Sequence, residues 1–485
     1  SDGKRQAKLP EGPEVVALHI PISQIAREAG AVIMKNMVAT GAAAALLDLD
    51  RQPFHNVIQE RFGRRGEKMV ASNRQAFDAG YDAALSQMNG LDLLKLAPGD
   101  DKRRHLMAGN EAAAFGALAA GCRFMAAYPI TPASEVMHWL VRKLPKYGGV
   151  VVQAEDEIAS MAMAIGAGYA GVRSLTATSG PGLSLKMETL GYAGMIEAPV
   201  VIVAVQRGGP STGMPTKHEQ SDLLQMLYGT HGDLTRIILA PTNVEECFYY
   251  AAEAFNLAER YQTPVILALD LSLGLSVQTV EGFDFDRINI DRGSLITQEE
   301  LDQLNGQPFK RYAFTESGIS PRSIPGMPGG LHLATGVEHD ETGHITENRQ
   351  NRIQMMNKRL RKIAGAQTNG ISTGYFGDEE PELLLVGWGS AMGPINEAVG
   401  LLQAEGRKVA SLAVKLLSPL PAAEIEAVVN RADKVVVVEN NAQGQLNLVL
   451  RQHLDVPKGK LGSFTKYDGT SFLAQEIAAH CREVL

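Results

Sequence analysis

From Asn110 to Asp270 the chain repeats one pattern, a short apolar run followed by a segment with helical spacing. The runs are "RFMAAY", "GVVVQ", "RSLTAT", "PVVIVAV", "RIILA" and "PVILALD", each closed by polar residues, glycine or proline. Strands alternating with helices in this way predict a parallel sheet with helical crossovers. From Glu382 onward, "LLLVGWGS", "KVASLAVKLL" and "KVVVVEN" predict three more strands in a second, smaller α/β domain. Ahead of both, residues 1–95 hold a strand candidate, "EVVALHIP", a small-residue helix, "NMVATGAAAALL", and a charged helical stretch. They read as half of a domain. Between the two sheets, residues 276–380 mix acidic, Gly/Pro-rich and basic segments and read as a long connection carrying functional loops. The expected organisation is therefore 1–95, 106–275, 276–380 and 381–485, without a short-period repeat.

In an open parallel sheet, ligands bind beyond the carboxyl ends of the strands, so the residue types that follow each strand are the ones that bear on chemistry. After "RFMAAY" comes "PITPASE", which predicts a rigid turn with Thr131 as N-cap and Pro132 at the first helical position. Met137, Leu140, Val141 and Leu144 would form the apolar face of its helix. By spacing alone Thr131 is a plain cap. After "GVVVQ" comes "AEDE", placing Glu155, Asp156 and Glu157 at the start of a helix of small residues, where carboxylates complement the dipole. After "RSLTAT" comes "SGPG", a turn in which backbone can approach a ligand closely. After "PVVIVAV" comes "QRGGPSTGMPTKHEQ", with Arg207 directly behind a buried strand. A guanidinium there suits a two-donor grip on a carboxylate, although most arginines are simply solvated. His218 reads as a polar loop residue, and no motif suggests a protein metal site.

Composition narrows the function classes. The 485 residues are 45% hydrophobic and 21% charged with a net charge of -8, which opposes a nucleic-acid or anionic-membrane footprint and favours small molecules or protein partners. No apolar run reaches membrane-spanning length. The N-terminus has no apolar h-region, so no signal peptide is expected. Cys122, Cys247 and Cys481 stand far apart. A disulfide framework is not expected, a reducing cytoplasm is, and three cysteines cannot ligate a four-thiolate iron–sulfur cluster.

Taken together, "GNEAAAFGALAAGCRF", "YPITPASE", "AEDEIASMAMAIGAGYAG", "TSGPGLSLKMETLG", "RGGPSTGMPTKHEQSDL", "GVEHDETG" and "VVVVENNAQGQL" resemble the α subunit of 2-oxoacid:ferredoxin oxidoreductases over most of residues 106–485. The fold this implies is a thiamine-diphosphate pyrimidine-type α/β domain followed by a smaller transketolase C-terminal-like domain. Residues 1–95 resemble the C-terminal half of the family's γ-type α/β domain, so the chain reads as starting inside it. By this resemblance Thr131, Arg207 and Thr216 bind substrate, Arg207 through the 2-oxo acid carboxylate. Glu157 is the catalytic acid–base group on the cofactor's aminopyrimidine ring, with Glu155 as competitor two residues away. Thr178, Ser179 and Gly180 line the cofactor.

A β partner is then expected to supply the Mg²⁺ and diphosphate site and a [4Fe–4S] cluster, since the chain lacks a GDG-to-Asn pattern and a fourth cysteine. Ferredoxin would accept the electrons, coenzyme A the acyl group, and the assembly would be α2β2. The PSTG loop and the fused γ-like segment lean toward 2-oxoglutarate. An acetolactate-synthase-like carboligase and a non-catalytic scaffold subunit are the alternatives.

Overall fold

The computed structural model describes residues 18–88, 96, 99–100, 102–366, 368–457 and 459–485. It divides into two compact units, Ser1–Lys102 and Arg103–Leu485.

Among its described residues the first unit is helical, with its main helices at Ile22–Glu28, Lys35–Leu46, Arg51–Phe62 and Glu67–Gln87. The second and fourth cross backbone to backbone. A Cβ added at Gly41 would lie 1.9 Å from the Phe77 carbonyl oxygen, and one at Gly80 would lie 2.0 Å from that of Val38. Only glycine lets two helices approach so closely. Residues 18–20 of the expected "EVVALHIP" strand are irregular chain leading into the first helix, and its earlier residues lie outside the described ones.

The second unit contains fourteen strands among its described residues. They are β1 (His105–Ala108), β2 (Phe124–Ala127), β3 (Val150–Gln153), β4 (Ser174–Thr178), β5 (Val200–Gln206), β6 (Ile237–Leu239) and β7 (Pro264–Asp270). After these come β8 (Val277–Val280), β9 (Thr373–Gly377), β10 (Leu383–Gly387), β11 (Val409–Val414), β12 (Leu416–Ser418), β13 (Lys434–Glu439) and β14 (Leu461–Thr465). A seven-stranded sheet has the order β12-β6-β7-β5-β4-β2-β3, and a five-stranded sheet the order β14-β13-β10-β11-β9. Both are parallel apart from edge strands β12 and β9. β1 and β8 form a separate antiparallel ribbon.

The apolar runs become strands because helices cover both faces of the sheet. β5 and β7 are buried along their whole length. Successive side chains point to opposite faces, so Val201, Val203 and Val205 enter one core while Ile202 and Ala204 enter another. That second core also contains Leu384, Val386, Trp388 and Leu412 of the C-terminal lobe. One hydrophobic layer is therefore shared by the two sheets.

"KVASLAVKLL", expected as one strand, is two. Lys415 interrupts the run: its ammonium pairs with Glu246 at 2.6 Å, and its carbonyl accepts from the Ala240 amide. The chain thereby leaves β11 of one sheet and enters the other as β12, antiparallel to β6.

The connection between the sheets is anchored by buried ions. Glu197 pairs with Lys358 at 2.6 Å and Lys362 at 2.9 Å, all three buried. Burial alone would raise the Glu197 carboxyl, but Lys362, Lys358 and Arg311 outweigh it and hold it well below the usual range. Glu259 similarly joins Arg173 at 2.8 Å and Arg322 at 2.9 Å. Among the described residues, no helix is long and apolar enough to cross a membrane.

Candidate functional site

Because β2, β3, β4, β5 and β7 run parallel in one sheet, the residues that follow them share one rim. Two groups of side chains are built there.

The first surrounds Glu157. Asp156 caps the helix Glu157–Tyr169 through its carboxylate, which accepts from the Ala159 amide at 2.7 Å. This fixes the helix start and turns the next residue inward. Glu157 is 7% exposed, whereas Glu155 and Asp156 are exposed. The Glu157 side chain packs on the "TSGPG" turn, where a Cβ at Gly182 would lie 2.8 Å from its Oε1 and 2.2 Å from Thr178 Oγ1. Glycine at 182 is thus the condition for the carboxyl to sit there.

Thr178, at the end of β4, is fully buried, and Ser179 is buried with an Oγ that finds no partner among the described residues. Beneath them lies Lys186, 1% exposed, whose ammonium donates to the Glu157 carbonyl oxygen at 2.8 Å and to Ser160 Oγ at 2.6 Å. Burial pushes its pKa down to about 8, opposed by the Glu157 and Asp156 carboxylates.

The second group surrounds Arg207, 6% exposed immediately after β5. Its Nη1 donates to the Thr131 carbonyl oxygen at 2.5 Å and its Nη2 to that of Thr212 at 3.1 Å. Nε has no partner among the described residues. Burial lowers this guanidinium's pKa, and Asp222 opposes the shift. Arg207 opens onto a cavity of 690 Å³ that Gly180, Glu219, Asp222, Asn441 and Tyr467 also line. Burial first, then Glu219, pushes the Asp222 carboxyl up to about 6, while Arg207 pulls it down.

The C-terminal lobe closes one side of this cleft through hydrogen bonds to the loop after Arg207. Gln220 donates from its amide nitrogen to the Asn440 carbonyl at 2.7 Å. Its side chain donates to Asp270 at 2.9 Å and to the Trp388 carbonyl at 3.0 Å. His218, expected as a polar loop residue, is buried with Nδ1 3.7 Å from Asp270.

The structure therefore gathers Glu157, Thr178, Ser179 and Gly180 around one turn, with Arg207 across the cleft from Gly180. Thr131 is not an N-cap. The Ala133 and Ser134 amides both bond the Ile130 carbonyl, so a turn precedes the helix Ser134–Lys143, and Ala133 stands at its N-cap position without a side-chain bond. Thr131 reaches Arg207 through its carbonyl instead. Met137, Leu140 and Leu144 are buried as expected, but Val141 is 52% exposed. Thr216 is exposed in the loop after Arg207 and does not line the cleft.

Sequence reasoning missed Asp222, which stands at the N-cap position of the helix Leu223–Tyr228 without a side-chain cap bond among the described residues. It also missed Lys186, whose signal was a lone lysine between small and apolar residues in "SLKMETLG".

An open parallel sheet with buried polar side chains beyond its carboxyl ends is the architecture of ligand-binding α/β proteins. Residues 115–358 match the family described as pyruvate flavodoxin/ferredoxin oxidoreductase, thiamine diP-binding. Residues 2–83 match pyruvate ferredoxin/flavodoxin oxidoreductase, and 381–477 match pyruvate:ferredoxin oxidoreductase core domain II. The chain belongs to this family, among the α subunits of 2-oxoacid:ferredoxin oxidoreductases, as the resemblance of its motifs implied.

Subunit alpha of 2-oxoacid:ferredoxin oxidoreductase 1 from Aeropyrum pernix is 40% identical, over 86% of this chain and 66% of that protein. The 2-oxoglutarate oxidoreductase subunit KorA of Mycobacterium tuberculosis is 38% identical, over 93% of this chain and 68% of that protein. The chain thus spans about two thirds of the length of these relatives. A solved structure of 2-oxoglutarate:ferredoxin oxidoreductase from Magnetococcus marinus with 2-oxoglutarate, coenzyme A and succinyl-CoA bound superposes with a TM-score of 0.90. It is 40% identical and covers 99% of this chain and 82% of that one.

Proposed function

We propose that this chain is the α subunit of a 2-oxoglutarate:ferredoxin oxidoreductase, which converts 2-oxoglutarate and coenzyme A to the acyl thioester and CO₂ while reducing ferredoxin. The observation that carries this reading is the pairing on one rim of a buried Glu157 carboxyl, seated against Gly182, with the Arg207 guanidinium across the cleft. Both remain available to a ligand. The Glu157 carboxyl is seated against Gly182, and among the described residues Ser179 Oγ is buried without a partner and Arg207 keeps an unbonded Nε–H. These groups fit thiamine diphosphate, which supplies the carbon nucleophile and the electron sink for decarboxylation.

Each residue then has a defined task. Glu157 would hold and exchange a proton with the aminopyrimidine group, and Thr178, Ser179 and Gly180 would line its binding surface. Arg207 binds the 2-oxo acid carboxylate, oriented by the Thr131 and Thr212 carbonyls, and Thr131 borders the substrate, while Thr216, exposed away from the cleft lining, is assigned no contact. Burial strengthens each of these charge-assisted bonds.

The diphosphate, its Mg²⁺ and the [4Fe–4S] cluster belong to a β subunit, which would complete the site in an α2β2 assembly in the cytoplasm. The exposed side of the Glu157 helix supports such a partner. It presents Ile158 at 52% and Met163 at 41% exposure, and a Cβ at Gly166 would meet nothing within 4 Å. Direct purification tests the reading. The chain with its native partner should show coenzyme-A-dependent viologen reduction with the highest kcat/KM for 2-oxoglutarate across a panel of 2-oxo acids. A preference for pyruvate or branched-chain acids would overturn the substrate assignment, and four iron atoms bound to this chain alone would overturn the division between subunits.

A further inference from the structure

The Arg207 cleft contains two carboxyl groups that the proposed reaction does not use. Glu219 accepts from Ser221 Oγ at 3.1 Å. Asp222 is held by its backbone, whose amide donates to Gln206 Oε1 at 3.1 Å, but among the described residues its carboxyl accepts no hydrogen bond. It lies directly over the cofactor-side turn, where a Cβ at Gly180 would stand 2.9 Å from its Oδ2. A group pressed between the Gly180 turn and the arginine, and fixed by neither, is placed to meet whatever Arg207 binds.

We propose that Asp222 tunes how strongly this cleft prefers a dicarboxylate over a monocarboxylate 2-oxo acid, weakening that preference when ionised and donating a hydrogen bond to the second carboxylate when neutral. The inference rests on the reading of Arg207 as the carboxylate-binding group.

The surroundings support a charge device. Arg207 is the one cation lining the cleft among the described residues, so with Glu219 and Asp222 both ionised the lining carries one positive and two negative charges. Protonation of Asp222 makes it neutral. The Gly180 turn faces it with Pro181 and Ser184, which carry no charge. From the loop after β5 come Arg207 and Glu219, with Lys217 exposed at the rim and His218 turned down to Asp270. From the C-terminal lobe come Asn441 and Tyr467, with Glu439 behind them bonded to Asn441 Nδ2 at 2.9 Å and to the Leu446 amide at 2.7 Å. The position of the carboxyl near 6 places the change within an assayable range.

The test uses the chain assembled with its partner, and compares kcat/KM for 2-oxoglutarate with that for pyruvate between pH 5 and 8. In the unaltered enzyme the ratio should fall as pH rises through about 6. In Asp222→Asn it should stay flat, and at pH 8 it should exceed the unaltered ratio by about tenfold. A unit charge acting over ~10 Å at an effective dielectric constant of ~20 gives a change of that order. The change should appear in KM for the dicarboxylate and leave KM for coenzyme A unmoved, which general loosening of the fold would not do.

Arg207→Lys is run in parallel and should raise KM for both 2-oxo acids by about tenfold or more. If it does and the Asp222→Asn ratio equals that of the unaltered enzyme at every pH, the proposal is wrong and the Arg207 reading stands. If Arg207→Lys leaves both KM values unchanged, the Arg207 reading itself fails and the proposal with it. Should Asp222→Asn prove unstable, the pH dependence of the unaltered enzyme decides alone, since a pH-independent ratio contradicts the proposal.

Discussion

Replacing Gly182 by alanine adds one carbon at the most crowded point of the Glu157 group. The new Cβ would lie 2.2 Å from Thr178 Oγ1 and 2.8 Å from both Cγ and Oε1 of Glu157. Ordinary contacts begin near 3.4 Å, so the carboxyl must retreat by about 0.6 Å and the hydroxyl by about 1.2 Å. Thr178 is fully buried and cannot swing into solvent, which directs the displacement onto the glutamate. Overpacking of this kind costs about 1–3 kcal/mol of stability, and a misplacement of about 1 Å costs about 10²-fold in rate. The expected result is a folded, partner-binding variant with turnover reduced by about two decades and slowed exchange of the thiazolium C2 proton. Stopped-flow turnover, proton exchange by NMR and thermal melting of the complex measure the three quantities. Turnover within about twofold of the unaltered enzyme would refute the argument that Gly182 seats Glu157.

Three further outcomes are expected. Glu157→Gln should lower turnover by about 10²–10⁴-fold while assembly survives. Exposed Glu155→Gln should cost no more than about 0.3–1 kcal/mol, and slow C2 exchange in the Glu155 variant instead would move the role by two residues. Glu197→Gln leaves the buried Lys358 and Lys362 ammonium groups without a counter-ion and should lower stability by about 3–5 kcal/mol, read as a shift of the urea midpoint. Asp222 has a folded-state pKa raised to about 6, so the stability linked to its proton is present below the unfolded value near 4 and is lost as pH rises through 6. Asp222→Asn should therefore raise the melting temperature at pH 8, by up to about 3 kcal/mol in stability, and leave it unchanged at pH 4; an equal effect at both would show that charge is not the cause.

The strands of the large sheet were legible because β5 and β7 are buried on both faces and so need long runs without a polar residue. Arg207 was legible as a candidate because it directly follows such a run. What was hidden depended on contacts distant in sequence. Lys415 breaks an apolar run only because Glu246, far back in the chain, pairs with its ammonium. The ion pairs of Glu197 with Lys358 and Lys362 join residues that nothing in their local pattern connects. Thr131 was misread as a cap because the Pro-Ile-Thr-Pro spacing suits a helix start, whereas the amides behind it first close a turn on Ile130. Glu155 and Glu157 both suit a helix start, and only the cap by Asp156 separates the exposed carboxyl from the buried one.

The crossing of β12 onto β6 has a mechanical consequence. The C-terminal lobe does not merely rest on the large sheet; it contributes an edge strand to it while its own sheet shares the core beneath. Hinge opening of the two lobes would have to strip that strand and expose Leu416 and Leu417 together. The lobes should therefore yield as one cooperative block, with amide protons of β6, β11 and β12 exchanging at the same slow rate.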